Sequence, residues 1–204
     1  MNRVIGGSGD PVIGGMDSEV AKAYLEDSYR ALRGYWRLAE GALEQVRDDE
    51  LFGQLDAESN SIAIVMRHIA GNMRSRWADF LTTDGEKPDR QRDREFEARP
   101  GSRAELMKEW NRAWELTLAT VQALKPEDVL REVAIRGERH TVLWAIQRQV
   151  THYAYHVGQI VFLAKHFRGA EWKSLSIPKG KSAEWREKGY REHNDHRLKD
   201  GGKW

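Results

Sequence analysis

The chain has 204 residues and a mass of 23.5 kDa, which suits one domain with appendages and one substantial core. Its 33 basic and 32 acidic side chains nearly cancel, so it lacks the global positive field of a dedicated nucleic-acid binder. The absence of cysteine excludes disulfides, thiolate metal ligands and a cysteine nucleophile, so any thiol chemistry must use a thiol from outside the protein.

Residues 1–16 are rich in glycine, include Pro11, and read as a flexible leader. Neither they nor any later run approach the roughly 18 consecutive apolar residues of a membrane span, so a cytoplasmic protein with no membrane partner is expected. From Asp17 or Ser18, Val20, Tyr24, Leu25, Tyr29, Leu32, Trp36, Leu43 and Val46 recur at helical spacing, predicting a first helix over 17–47. Ser59 or Asn60 can cap a second helix, whose apolar positions run from Ile62 to Leu81 and which contains His68. Thr83 to Pro88 is a stop signal. Asp89 to Arg99 is a charged connection of mixed sign, either a flap or a solvated loop.

Ser102 with Glu105 three residues later forms a capping box for a third helix, which Pro126 ends. Residues 129–142 alternate around Gly137, which fits a small hairpin or extended linker. Thr141 can cap the fourth helix, and Gly169 follows it at a C-terminal cap position. Residues 169–204 are a polar tail with Trp172, Trp185 and Trp204 among charges, either draped on the body or used at a subunit contact. The fold class expected is all-α, a four-helix bundle over 17–168 with a short extended or hairpin segment before its last helix.

Two histidines carry the chemistry. His152 and His156 are four residues apart on the fourth helix, so both imidazoles lie on one face and can converge on one metal ion, or pack as ordinary core residues. His68 is the candidate third ligand if the second and fourth helices are neighbours. Three neutral imidazoles with an open fourth position are the arrangement of a catalytic zinc site. Gln149, Gln159 and Asn72 can orient the imidazoles or make ordinary polar contacts. His166 lies about 15 Å from His156 along the helix, too far to share an ion, and it reads with His140, His193 and His196 as a surface residue. Trp36, Trp77, Trp110, Trp114 and Trp144 read as core or its margin. Arg74 and Arg76 can hold an anion, but surface pairing is their usual role.

With His68 on the second helix and a His-x-x-x-His pair on the fourth, the layout resembles the DinB-like superfamily of metal-binding four-helix bundles. The segment from Ser59 to Lys87, including His68-Ile69-Ala70-Gly71-Asn72-Met73-Arg74-Ser75-Arg76-Trp77, looks like a bacterial, functionally uncharacterised branch of it. The resemblance implies a divalent metal, Zn²⁺ or Ni²⁺, at His68, His152 and His156. It also implies a low-molecular-weight thiol cosubstrate such as mycothiol, bacillithiol or glutathione, used by an S-transferase or related enzyme on a small-molecule substrate. The rival reading is a non-catalytic metal-binding or dimerisation bundle. A homodimer is expected because bundles of this kind often bury a remaining apolar face by pairing.

Overall fold

Ser61, Ser102 and Thr141 each turn an extended backbone into a helix by the same device. Their side-chain oxygens accept the backbone N–H groups of Ile64, Glu105 and Trp144, which a helix start leaves unpaired. In the computed structural model, which describes residues 12–187, the helices are α1 Val12–Leu43, α2 Asp48–Phe52, α3 Ile62–Trp77, α4 Arg103–Ala123, α5 Val142–Arg168 and α6 Ser182–Glu187. The cap of α3 is Ser61 rather than Ser59 or Asn60. Ser59 is committed elsewhere, its N–H and hydroxyl both donating to the Asp56 carboxylate at 2.8 and 2.7 Å.

The first helix differs from the 17–47 expectation at both ends. It begins at Val12, inside the stretch read as a leader; residues 1–11 lie outside the described residues. It stops at Leu43, where Arg103 supplies a donor that the terminal carbonyl lacks, donating to Leu43 O at 3.1 Å and also to Val46 O in the turn beyond at 2.6 Å. Val20, placed on the buried stripe, is 65% exposed, while Leu25, Leu32 and Ala39 carry the stripe inward. α3 stops at Trp77, before Phe80 and Leu81. Asp79 takes a left-handed conformation (φ 49°), and its carbonyl accepts the N–H groups of Thr82 and Thr83.

The fold is mostly helical, with four long helices around one core. α3 packs against α4 and α5, and α1 packs against α5 and α4. α3 is buried nearly all round, which is why its polar residues, His68 included, sit inside the protein. Trp114 joins three helices, stacked with Trp36 at 6.2 Å and edge-on to Trp110 and Tyr153 at 5.7 Å. Trp144 is the exception among the helix tryptophans, 44% exposed and stacked on His140.

Between α4 and α5, β1 Glu132–Ile135 pairs antiparallel with β2 Glu138–Thr141. The two-residue loop has positive φ at both Arg136 (58°) and Gly137 (77°), the backbone that a tight hairpin requires. The Asp84 carboxylate accepts both loop N–H groups at 2.8 and 2.7 Å, tying the hairpin to the segment after α3. After α5, Gly169 takes φ 51° at the helix end. Trp172 and Leu175 of the polar tail pack back on the core, and Gln45 pins Lys173 through both its side-chain atoms. Trp204, His193 and His196 lie outside the described residues.

Candidate metal centre

α3 and α5 lie side by side, and that adjacency brings His68 to the His152/His156 pair. The ligand atoms of all three lie within 4.8 Å of one another. His68 and His156 are buried, at 4% and 9% exposure, while His152 is half-buried. His68 Nε2 and His152 Nε2 are 3.3 Å apart. Two nitrogens bound tetrahedrally at 2.0–2.1 Å to one zinc ion would be about 3.3–3.4 Å apart, so this pair fits such an ion, with His156 the third donor within 4.8 Å. His140 and His166 take no part, as expected from their spacing. His140 stacks on Trp144 with ring centroids 4.0 Å apart, and His166 is exposed.

Each imidazole facing that point needs a lone pair there, so its other nitrogen must carry the proton. His68 Nδ1 donates to Glu95 Oε2 at 3.0 Å and His156 Nδ1 donates to Gln159 Oε1 at 2.8 Å. Both bonds fix the tautomer that leaves Nε2 as the acceptor. Burial, reinforced by the neighbouring His156 and His68, pushes the His152 pKa down to about 3. Burial also lowers that of His156, against the Gln159 bond. Both rings are therefore neutral at neutral pH, the form a metal requires.

Glu95 was not singled out by sequence reasoning. It lies in a 3-10 turn, Arg92–Phe96, of the charged connection that reads as a flap or a solvated loop. The turn instead packs on α3, with the Phe96 ring 4.5 Å from that of His68. Arg90 grips both Glu95 oxygens at 2.9 Å. Burial alone would raise the Glu95 pKa, but the bonds from His68 and Arg90 outweigh it and hold the carboxyl below its ordinary range. Gly71 makes the approach possible, because a Cβ there would fall 2.7 Å from the Glu95 carboxyl carbon. The faint signal in the sequence is Phe96, an apolar residue that an entirely solvated loop would not need.

The other polar candidates separate. Asn72 accepts from Tyr153, whose hydroxyl in turn accepts from Trp77 Nε1, so it holds α3 to α5 rather than a histidine. Gln149 is 2% exposed and its Oε1 has no hydrogen-bond partner among the described residues. Arg76 is buried, donating to Gly85 O and to Glu86 at 3.0 Å, while Arg74 is exposed beside Asp89. A cavity of about 520 Å³ opens over His68 and His152, within the range of small-molecule sites. No described helix is long and apolar enough to cross a membrane.

Comparison with curated proteins finds no match from which an activity could be carried over. A family model described as "Protein of unknown function (DUF1572)" matches residues 19–181, a span that includes all three histidines, Glu95 and the hairpin, and the chain belongs to that family.

Proposed function

We propose that this protein is a DinB-like four-helix bundle that holds one divalent cation, Zn²⁺ or Ni²⁺, at His68, His152 and His156, and that it transfers a low-molecular-weight thiol to an electrophile. The observation that carries the reading is the 3.3 Å separation of His68 Nε2 and His152 Nε2, with the Nδ1 atoms of His68 and His156 turned away to Glu95 and Gln159. Such a cation, when bound, supplies Lewis-acid activation of a thiol or water.

The residues of the chain prepare that chemistry. His152 and His156 stay unprotonated at neutral pH, and Glu95 and Gln159 hold two rings in register. The half-buried His152 gives the centre its face toward the cavity. With no cysteine in the chain, the nucleophilic sulfur belongs to the cosubstrate. The test is conjugation of glutathione to a chloronitrobenzene by the full chain, before and after loading with Zn²⁺ or Ni²⁺. Turnover should follow metal occupancy and fall at least about a hundredfold in His152→Ala. Loss of metal with unchanged turnover would refute the assignment.

A homodimer belongs to the same proposal. Tyr155 and Phe162, seven residues apart on one face of α5, are 64% and 68% exposed, an apolar surface that pairing would cover. Light scattering at the mass of a single chain would overturn it.

A further inference from the structure

The cavity over the histidines is strongly one-sided in charge. Arg76, Arg90, Arg92, Arg136 and Arg148 all line it, and no carboxylate among the described residues does. Three of these cations are backed by two carboxylates, Glu86 and Glu95. Arg76 and Arg136 meet Glu86 at 3.0 and 2.9 Å, and Arg90 meets Glu95. The remaining two are not. Arg148 is half-buried with its guanidinium over the Trp144 ring, 5.5 Å from its centroid, and no carboxylate among the described residues reaches it. Arg92 lies over Phe96, and its one acidic contact among the described residues is the fully solvated Asp93 at 3.8 Å.

Aromatic support holds both guanidiniums without consuming their hydrogen-bond donors, which leaves those donors to a ligand. A second, independent feature shows that the cavity calls for a ligand, here one with a hydrogen-bond donor. Gln149 lines the cavity one residue beyond Arg148, buried and with its Oε1 unpartnered, a polar atom that costs stability unless something in the cavity bonds to it. The contrast is a second cavity of about 510 Å³. There Arg67, Arg74, Arg94, Arg99 and Arg112 share the lining with Asp89, Glu95 and Glu109, so carboxylates stand among the cations.

We propose that the histidine site takes a small substrate bearing an oxyanion, with Arg148 and Arg92 as the groups that bind it, and with Gln149 Oε1 accepting a hydrogen bond from an N–H or O–H group elsewhere on the same substrate. This rests on the metal-site reading above for the reactive end of the substrate, and under that reading the thiol is a carboxylate-bearing one rather than a neutral one. Bidentate arginine contacts discriminate strongly for planar carboxylate and for phosphate.

The test is calorimetric titration of the full chain, metal-free and Zn²⁺-loaded, at low ionic strength with mercaptosuccinate, thioglycerol, succinate and inorganic phosphate. Zn²⁺-loaded protein should bind mercaptosuccinate at least about tenfold more tightly than thioglycerol. Arg148→Gln should remove most of that difference and leave thioglycerol within about twofold, and Arg92→Gln should remove less. Equal affinity for the two thiols, or an Arg148→Gln loss shared by both, would overturn the proposal. Succinate against phosphate decides which oxyanion is preferred. The metal-free protein separates the two readings. Arg148-dependent succinate or phosphate binding with no Zn²⁺ uptake would sink the metal reading alone. Stoichiometric Zn²⁺ uptake with neither anion bound would sink the anion proposal alone.

Discussion

The bare Cα of Gly71 is what lets the Glu95 carboxylate stand against α3 and reach His68. A side chain there would overlap the carboxyl group that accepts the His68 Nδ1 proton at 3.0 Å. A glycine inside a helix normally costs roughly 0.5–1 kcal/mol relative to alanine, so this one is held for the approach and not for the helix.

Gly71→Ala should therefore destabilise the protein, the opposite sign to the usual helix-interior replacement, because the displaced Glu95 leaves Arg90 buried with a poorer partner. Urea unfolding measures it, and a variant as stable as wild type or more so would contradict the account. Glu95→Gln, which keeps the shape but not the charge, should weaken metal binding by about 10- to 100-fold, and it should also lower stability because Arg90 loses the same buried charge.

Tyr153→Phe should cost about 2–3 kcal/mol, since it orphans two buried polar groups, Trp77 Nε1 and Asn72 Oδ1, that share the hydroxyl at 3.0 Å each. Metal content should be unchanged, because neither partner touches a histidine ligand atom. Circular dichroism melts alongside metal analysis check both halves.

The histidines also set a pH dependence. His152 has a folded pKa of about 3 against an ordinary 6.5. Above pH 6.5 neither folded nor unfolded chain protonates it, and the neutral ring's stability is fully present. As pH falls from 6.5 toward 3 the unfolded chain takes up a proton that the folded one refuses, so stability is lost, by up to about 1.4 kcal/mol per pH unit. Glu95, held low, loses stability in acid in the same direction. The metal-free protein should thus melt at progressively lower temperature below about pH 6.5. His152→Gln should flatten that slope, and an identical slope in the variant would count against it.

The parts of the site that could be read in advance are those set by local spacing. The i,i+4 pair, the Ser102–Glu105 box, the Thr141 cap and the hairpin around Gly137 each depend on residues a few positions apart. His68 required only that two amphipathic helices be neighbours. Glu95 and Arg90 were not legible, because nothing in a run of alternating charges separates them from Arg92, Asp93 and Arg94. Only the fold, by setting the turn against Gly71, selects the pair that is buried. The choice of Ser61 over Ser59 likewise turns on Asp56, and the end of α1 at Leu43 meets Arg103, through bonds that become visible only in three dimensions.

The most direct measurement is elemental analysis of the full chain after loading with Zn²⁺ or Ni²⁺ and removal of excess ion, for wild type and for His68→Ala, His152→Ala and His156→Ala. The account predicts close to one ion per wild-type chain and a large loss in each variant, with helical content retained. Sub-stoichiometric metal in wild type, or full occupancy in any of the three variants, would contradict it.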